Sequence, residues 1–221
     1  MLNILMEQLV RIPVNHGHIE GMLELPGNAQ GIVLFAHGSG SSRLSPRNNF
    51  VAGVLRAGGV GTLLMDLLTP QEDAVYETRF DIALLTRRLL AATLWLQESG
   101  YAKNLPLGYF GASTGAAAAL QAAAQLGGEI AAVVSRGGRP DLAGSPDLAR
   151  VVAPTLLLVG GRDEVVIELN REAFTQLRCK KELSIVPGAT HLFEEPGTLE
   201  EVARQATAWF SRQLNNAASS R

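Results

Sequence analysis

The sequence predicts the α/β class: a mostly parallel sheet of about eight strands, with helices on both faces and an antiparallel hairpin at the N-terminus. Three observations predict it. Short apolar runs without alternation recur along the chain, as strands buried on both faces require. Helical stretches separate those runs, and βα alternation signals parallel strand order. Ahead of them, residues 8–25 alternate in polarity around Asn15-His16-Gly17, the pattern of a hairpin.

The apolar runs predict strands at Gly31–His37, Gly61–Leu67, Pro106–Ala112, Ile130–Ser135, Pro154–Gly160 and Leu183–Pro187. Helices are expected between them. Pro46–Ala57 begins with Ser45 as N-cap and Pro at the first helical position. Thr78–Glu98 carries apolar residues at helical spacing, Thr114–Leu126 is alanine-rich, and Glu164–Leu177 and Leu199–Leu214 complete the set. Residues 136–152 are the least regular part and too short for a large lid. The tail Asn215–Arg221 is polar and expected to fray.

The bulk numbers narrow the function classes. With 221 residues, one domain spanning 1–221 is expected. A formal net charge of −2 supplies no basic surface for nucleic acid. No apolar run approaches a membrane span. The N-terminus has no basic region of the signal-peptide kind, and the single cysteine, Cys179, suits a reducing compartment. A cytoplasmic protein, monomer or homodimer, without cofactor or metal, is therefore expected.

Chemistry is sought in the loops at the carboxyl ends of the strands. The run Pro106–Ala112 leads directly into Gly111-Ala112-Ser113-Thr114-Gly115, a G-x-S-x-G between strand and helix. A serine on so tight a turn is held in strained backbone. Its neighbours two positions away must be tiny for strand and helix to approach. Ser113 is the expected nucleophile.

A serine hydroxyl needs a base. Of the four histidines, His16 and His18 lie in the hairpin and His37 ends the first buried strand. Only His191 follows Ser113, in the loop after the last strand, and the order nucleophile–acid–histidine selects it. The acid is expected at Asp163, which follows the strand Pro154–Gly160 through Gly161-Arg162. Its neighbour Glu164 is the fallback, and a plain helix N-cap is the competing role for Asp163. Backbone amides of Thr114 and of Ser39, in His37-Gly38-Ser39-Gly40, are the expected oxyanion donors. That loop lacks the G-K-[ST] of a P-loop, and Arg43 stands where a dinucleotide fingerprint needs its third glycine.

The ordered set H-G-S-G, G-A-S-T-G, G-G-R-D and G-A-T-H-L resembles the dienelactone hydrolase-like branch of the α/β hydrolases, from about Gly31 to Leu214. The stretch His37–Arg47, with Ser135-Arg136-Gly137-Gly138-Arg139-Pro140, also resembles bacterial hydrolase domains sometimes fused to a phosphoribosyltransferase. Within 221 residues that partner domain is not expected. The resemblance implies an α/β-hydrolase fold. Dienelactone hydrolases proper use cysteine as nucleophile, whereas Ser113 stands here and Cys179 lies near a helix end. The implied activity is hydrolysis of an ester, thioester or lactone of a small substrate through an acyl-enzyme. A non-catalytic scaffold on the same fold, or an acyltransferase using the same three residues, are the alternatives.

Arg43, Arg47, Arg136 and Arg139 crowd the same side of the predicted sheet. Guanidinium forks suit carboxylate or phosphate. Arg43, Arg136 and Arg139 are therefore candidates for binding an anionic group of the substrate, against loop-fixing contacts or a solvated surface as the plainer role. Asp66, at the end of its strand, is expected to orient loops.

Overall fold

A computed structural model describes residues 5–15, 17–102 and 104–219. Eight strands form one sheet: β1 (Leu5–Val14), β2 (Gly17–Pro26), β3 (Ile32–Ala36), β4 (Gly61–Met65), β5 (Leu107–Ala112), β6 (Ile130–Arg136), β7 (Thr155–Gly160) and β8 (Lys181–Val186). Their spatial order is β1-β2-β4-β3-β5-β6-β7-β8. The β1–β2 hairpin is antiparallel, as is β2 against β4, and every later pairing is parallel. This is the α/β-hydrolase architecture that the motifs imply. His16, in the expected turn, lies outside the described residues, as do Ser220 and Arg221.

The helices are α1 (Pro46–Ala57), α2 (Pro70–Asp73), α3 (Ile82–Glu98), α4 (Thr114–Leu126), α5 (Ser145–Arg150), α6 (Glu164–Gln176) and α7 (Thr198–Ser219). Strand alternation divides the core in two. Ile32, Leu34 and Ala36 of β3 face one side with α3, α4 and α6. Val33 and Phe35 face the other with α1 and α7. All five residues of β3 are buried, which is why the run shows no polar alternation.

The departures from expectation have local causes. Thr78–Glu98 is not one helix. A 3-10 turn, Tyr76–Phe80, comes first, and α3 restarts after Asp81, whose side chain accepts the Leu84 N–H at 2.9 Å. β8 begins at Lys181, before the apolar run, because an edge strand tolerates polar half-exposed residues. The irregular stretch contains a 3-10 turn (Pro140–Ala143) and α5. The tail does not fray at Asn215. Its helix continues to Ser219, beyond the apolar stripe that marks it in the sequence. Among the described residues no helix is long and apolar enough to cross a membrane.

Candidate active site

The corner between β5 and α4 dictates the geometry of Ser113. Its φ is +49° and ψ −120°, a conformation that a non-glycine residue adopts only under constraint. The constraint comes from both sides. The Ser113 N–H donates to the Arg136 carbonyl at 3.2 Å, and the Ser113 carbonyl accepts the Arg139 N–H at 3.1 Å. A Cβ on Gly111 would meet the Ala116 Cα at 2.4 Å, and one on Gly115 would meet the Ala36 carbonyl oxygen at 2.2 Å. Helix and sheet therefore approach closely enough to push Ser113 to the surface of the corner.

Ser113 and His191 line one cavity of about 240 Å³, which also takes in Gly38, Ser39, Ser41, Ser45, Arg47, Asn48 and Arg136. His191 Nδ1 lies 2.6 Å from Oδ2 of Asp163. A carboxylate only accepts, so Nδ1 carries the proton and Nε2 is left as the basic nitrogen. Asp163 precedes α6, yet its side chain makes no capping bond to that helix. Its carboxylate is committed to the histidine, which separates the two roles open to it in the sequence. Glu164 is exposed on the first turn of α6. The His191 loop is held by Glu195, which accepts the Thr190 N–H at 3.0 Å. These backbone and side-chain bonds at Thr190 keep the Glu195 carboxyl below its ordinary pKa.

The loop after β3 is set by His37. Its Nε2 accepts the Leu67 N–H at 3.0 Å, and its Nδ1 donates to the Gly38 carbonyl at 2.8 Å. Both nitrogens are used by a neutral ring, and burial lowers its pKa. Gly38 packs where a Cβ would stand 3.1 Å from the Ser113 Cβ. The Ser39 N–H donates to the Thr114 hydroxyl at 3.0 Å, across the mouth of the corner. The Thr114 amide opens α4, where the first N–H groups have no intrahelical acceptor.

The arginines divide. Arg43 lies outside this cavity, between Asp66 (2.5 Å) and Glu20 (2.6 Å), and Asp66 also accepts the Arg43 backbone N–H at 2.8 Å. Arg139 is held by Asp141 through two bonds, at 2.9 and 2.8 Å. Both are loop-fixing pairs, and neither residue lines this cavity. Arg136 is different. It is 5% exposed, lines the cavity, donates to the Asn48 Oδ1 at 3.0 Å, and sits over the Phe193 ring. Asn48 and Phe193 have no motif in the sequence. Only the Ser45-Pro46 cap, which places α1, and the helical position of Asn48 point to the first. Cys179 follows α6 and contacts Thr155, the first residue of β7, so it stands at the amino end of the sheet, away from Ser113.

Three comparisons relate the chain to known proteins. The Dienelactone hydrolase family profile matches residues 66–216. A dienelactone hydrolase of Anabaena variabilis, solved by crystallography, is 52% identical, with a TM-score of 0.92 over 95% of this chain and 98% of that one. Est1E of Butyrivibrio proteoclasticus, only 16% identical, shares the fold with a TM-score of 0.80 over 93% of this chain and 98% of that one. Two curated Mycobacterium tuberculosis proteins, each named "Putative phosphoribosyl transferase", are 56% identical over 95% of this chain. The chain spans about half the length of those relatives, 47%. The matched profile covers well over half of the sequence and includes the Ser113 corner, Asp163 and His191, and the chain belongs to the dienelactone hydrolase family.

Proposed function

We propose that the protein is a serine hydrolase that cleaves an ester, thioester or lactone of a small substrate through an acyl-enzyme. The observation that carries this reading is the convergence on one cavity of a strained, surface-directed Ser113 and a His191 already oriented by Asp163. In this mechanism His191 Nε2 takes the hydroxyl proton as Ser113 Oγ attacks the substrate carbonyl. Asp163 stabilises the imidazolium that results. The Thr114 amide, at a helix N-terminus, is the first oxyanion donor. The Ser39 amide is the second once a substrate oxygen replaces the Thr114 hydroxyl as its acceptor. The protonated His191 then delivers its proton to the leaving alcohol or thiol. Water, deprotonated by the same ring, releases the acid and regenerates Ser113.

The cavity supports a small substrate. Its 240 Å³ lies below the ~300–1,000 Å³ common for drug-sized ligands. The fold supports hydrolysis generally, and the position of Cys179 supports serine rather than cysteine as nucleophile. We assign the transferase name of the longer relatives to the part of those proteins outside the match. The test is intact-mass analysis after mixing with a p-nitrophenyl ester and rapid acid quench. An adduct of one acyl group on the Ser113 peptide is expected. Turnover with no adduct in wild type or in slow-deacylating His191 variants would oppose a covalent route.

A further inference from the structure

We propose that Arg136 and Arg47 form a phosphate subsite inside the Ser113 cavity, so that the preferred substrate is a small acyl ester carrying a phosphate group. The proposal deepens the serine hydrolase reading and rests on it for the word ester, though not for the subsite.

Arg136 ends β6, pairs in register with Ala112, and accepts the Ser113 N–H on its own carbonyl. Its side chain thus starts beside the candidate nucleophile and runs into the same cavity. A buried charge is normally paired, because an unpaired one is costly. Among the described residues Arg136 has no carboxylate partner. Its one side-chain bond goes to neutral Asn48, and its Nε is buried without a partner. Burial foremost, and then the like charge of Arg47, pull the Arg136 pKa down to about 10. At neutral pH the guanidinium still carries its proton. Arg47 also has a buried Nε without a partner, and only the rim residue Glu194, at 3.2 Å, offsets its charge.

Two cations facing one cavity without an internal anion describe a site for an external one. The remaining donors favour phosphate over carboxylate. Ser39, Ser41 and Ser45, each carrying a hydroxyl, line the same cavity. Ser45 uses its oxygen as acceptor for the Asn48 N–H, which leaves its hydroxyl proton to donate. It caps α1, a helix of 12 residues whose positive end opens at this point. Two guanidinium forks and three hydroxyls exceed what the two oxygens of a carboxylate use. They match the three terminal oxygens of a phosphate monoester.

The experiment has two arms. In the first, kcat/KM is measured for three esters of one acyl chain length, ending in phosphate, carboxylate or an uncharged hydroxymethyl group. Wild type is expected to prefer phosphate to the neutral ester by roughly 30-fold or more, the scale of one or two charge-assisted hydrogen bonds. Carboxylate should fall between. Because the readout is a ratio within one protein, Arg136→Met and Arg47→Met can be scored even where overall activity drops. Each is expected to shrink the ratio, Arg136→Met to within about threefold. Equal rates for phosphate and neutral esters, or carboxylate above phosphate, overturn the proposal while leaving the hydrolase standing. In the second arm, inorganic phosphate is titrated calorimetrically into Ser113→Ala, with and without Arg47→Met. Millimolar or tighter binding that the second substitution abolishes supports the subsite even where no ester is turned over. No heat of binding in Ser113→Ala overturns it. The Arg47 variants keep both arms informative where Arg136→Met does not fold.

Discussion

The Asp163 carboxylate lies 2.6 Å from His191 Nδ1 and caps nothing on the helix that follows it. A residue at a helix start has a ready use for its side chain. Here that use is given up for a histidine 28 positions later. On the proposed mechanism this contact fixes the tautomer that leaves Nε2 basic.

Asp163→Asn should therefore preserve the packing and lose the anion. A fall in kcat of about 10³–10⁴ is expected, with KM changed far less, as for other triads in which the acid becomes an amide. Glu164→Gln, one position on and exposed, should stay within about twofold of wild type. Steady-state kinetics of the two variants side by side check this. Equal losses would assign the acid to the wrong carboxylate.

Gly115→Ala is expected to unfold the corner rather than tune it. The added Cβ would stand 2.2 Å from the Ala36 carbonyl oxygen and 2.5 Å from that of His37, both backbone atoms that cannot swing away. A loss of about 3 kcal/mol or more in urea unfolding is expected, at or above the upper end of ordinary overpacking. An unfolding midpoint equal to wild type would show that α4 can lift off the sheet.

Arg136→Met should raise stability at neutral pH even as it removes ligand preference. The buried guanidinium carries a desolvation cost with no ion pair among the described residues to offset it, and an apolar side chain of similar length can pack on Phe193. The Asn48 oxygen loses its donor, which returns part of the gain. A net increase of about 1 kcal/mol is expected from denaturant unfolding. The sign with pH follows from a folded pKa, about 10, below the ordinary arginine value. The cost is in full force below about pH 10 and fades as the pH rises from there toward the ordinary arginine pKa, so the advantage of the variant should shrink over that rise. A variant less stable than wild type at pH 7 would make Arg136 a structural cation.

Thiol reagents should leave catalysis intact. Cys179 sits at the amino end of β7, half-buried, and burial raises its pKa above the ordinary thiol value. Iodoacetamide treatment and Cys179→Ala are each expected to keep activity within about twofold. Loss of activity on alkylation, abolished in Cys179→Ala, would contradict the serine assignment.

How much of this was legible beforehand depended on whether a role is written locally. The Ser113 corner is local: strand, G-x-S-x-G and helix adjoin, and the steric demand on Gly111 and Gly115 is visible in the letters. His191 was reachable by elimination. Asp163 stands at a strand end ahead of His191, but acid and N-cap make the same demand on sequence, and only the contact to His191 separates them. The arginines were the least legible. Arg43 is neutralised by Asp66 and Glu20, each 23 positions away, pairings that need the β2–β4 register. Arg139 was readable in principle, since its partner Asp141 is two residues on. Arg136 reads like the others, and its lack of a carboxylate emerges only when β6 brings it under α1. Ser39 was expected to aim its amide at an oxyanion, and in the structure the Thr114 hydroxyl occupies that donor.

The central claim is that Ser113 is an activated nucleophile, and labelling with a fluorophosphonate probe tests it most directly. Folded wild-type protein is expected to take up one equivalent of probe on the peptide containing Ser113, and Ser113→Ala none. His191→Ala should slow the labelling by orders of magnitude. Folded wild-type protein that stays unlabelled, or labelling that persists at full rate in Ser113→Ala, would contradict the account.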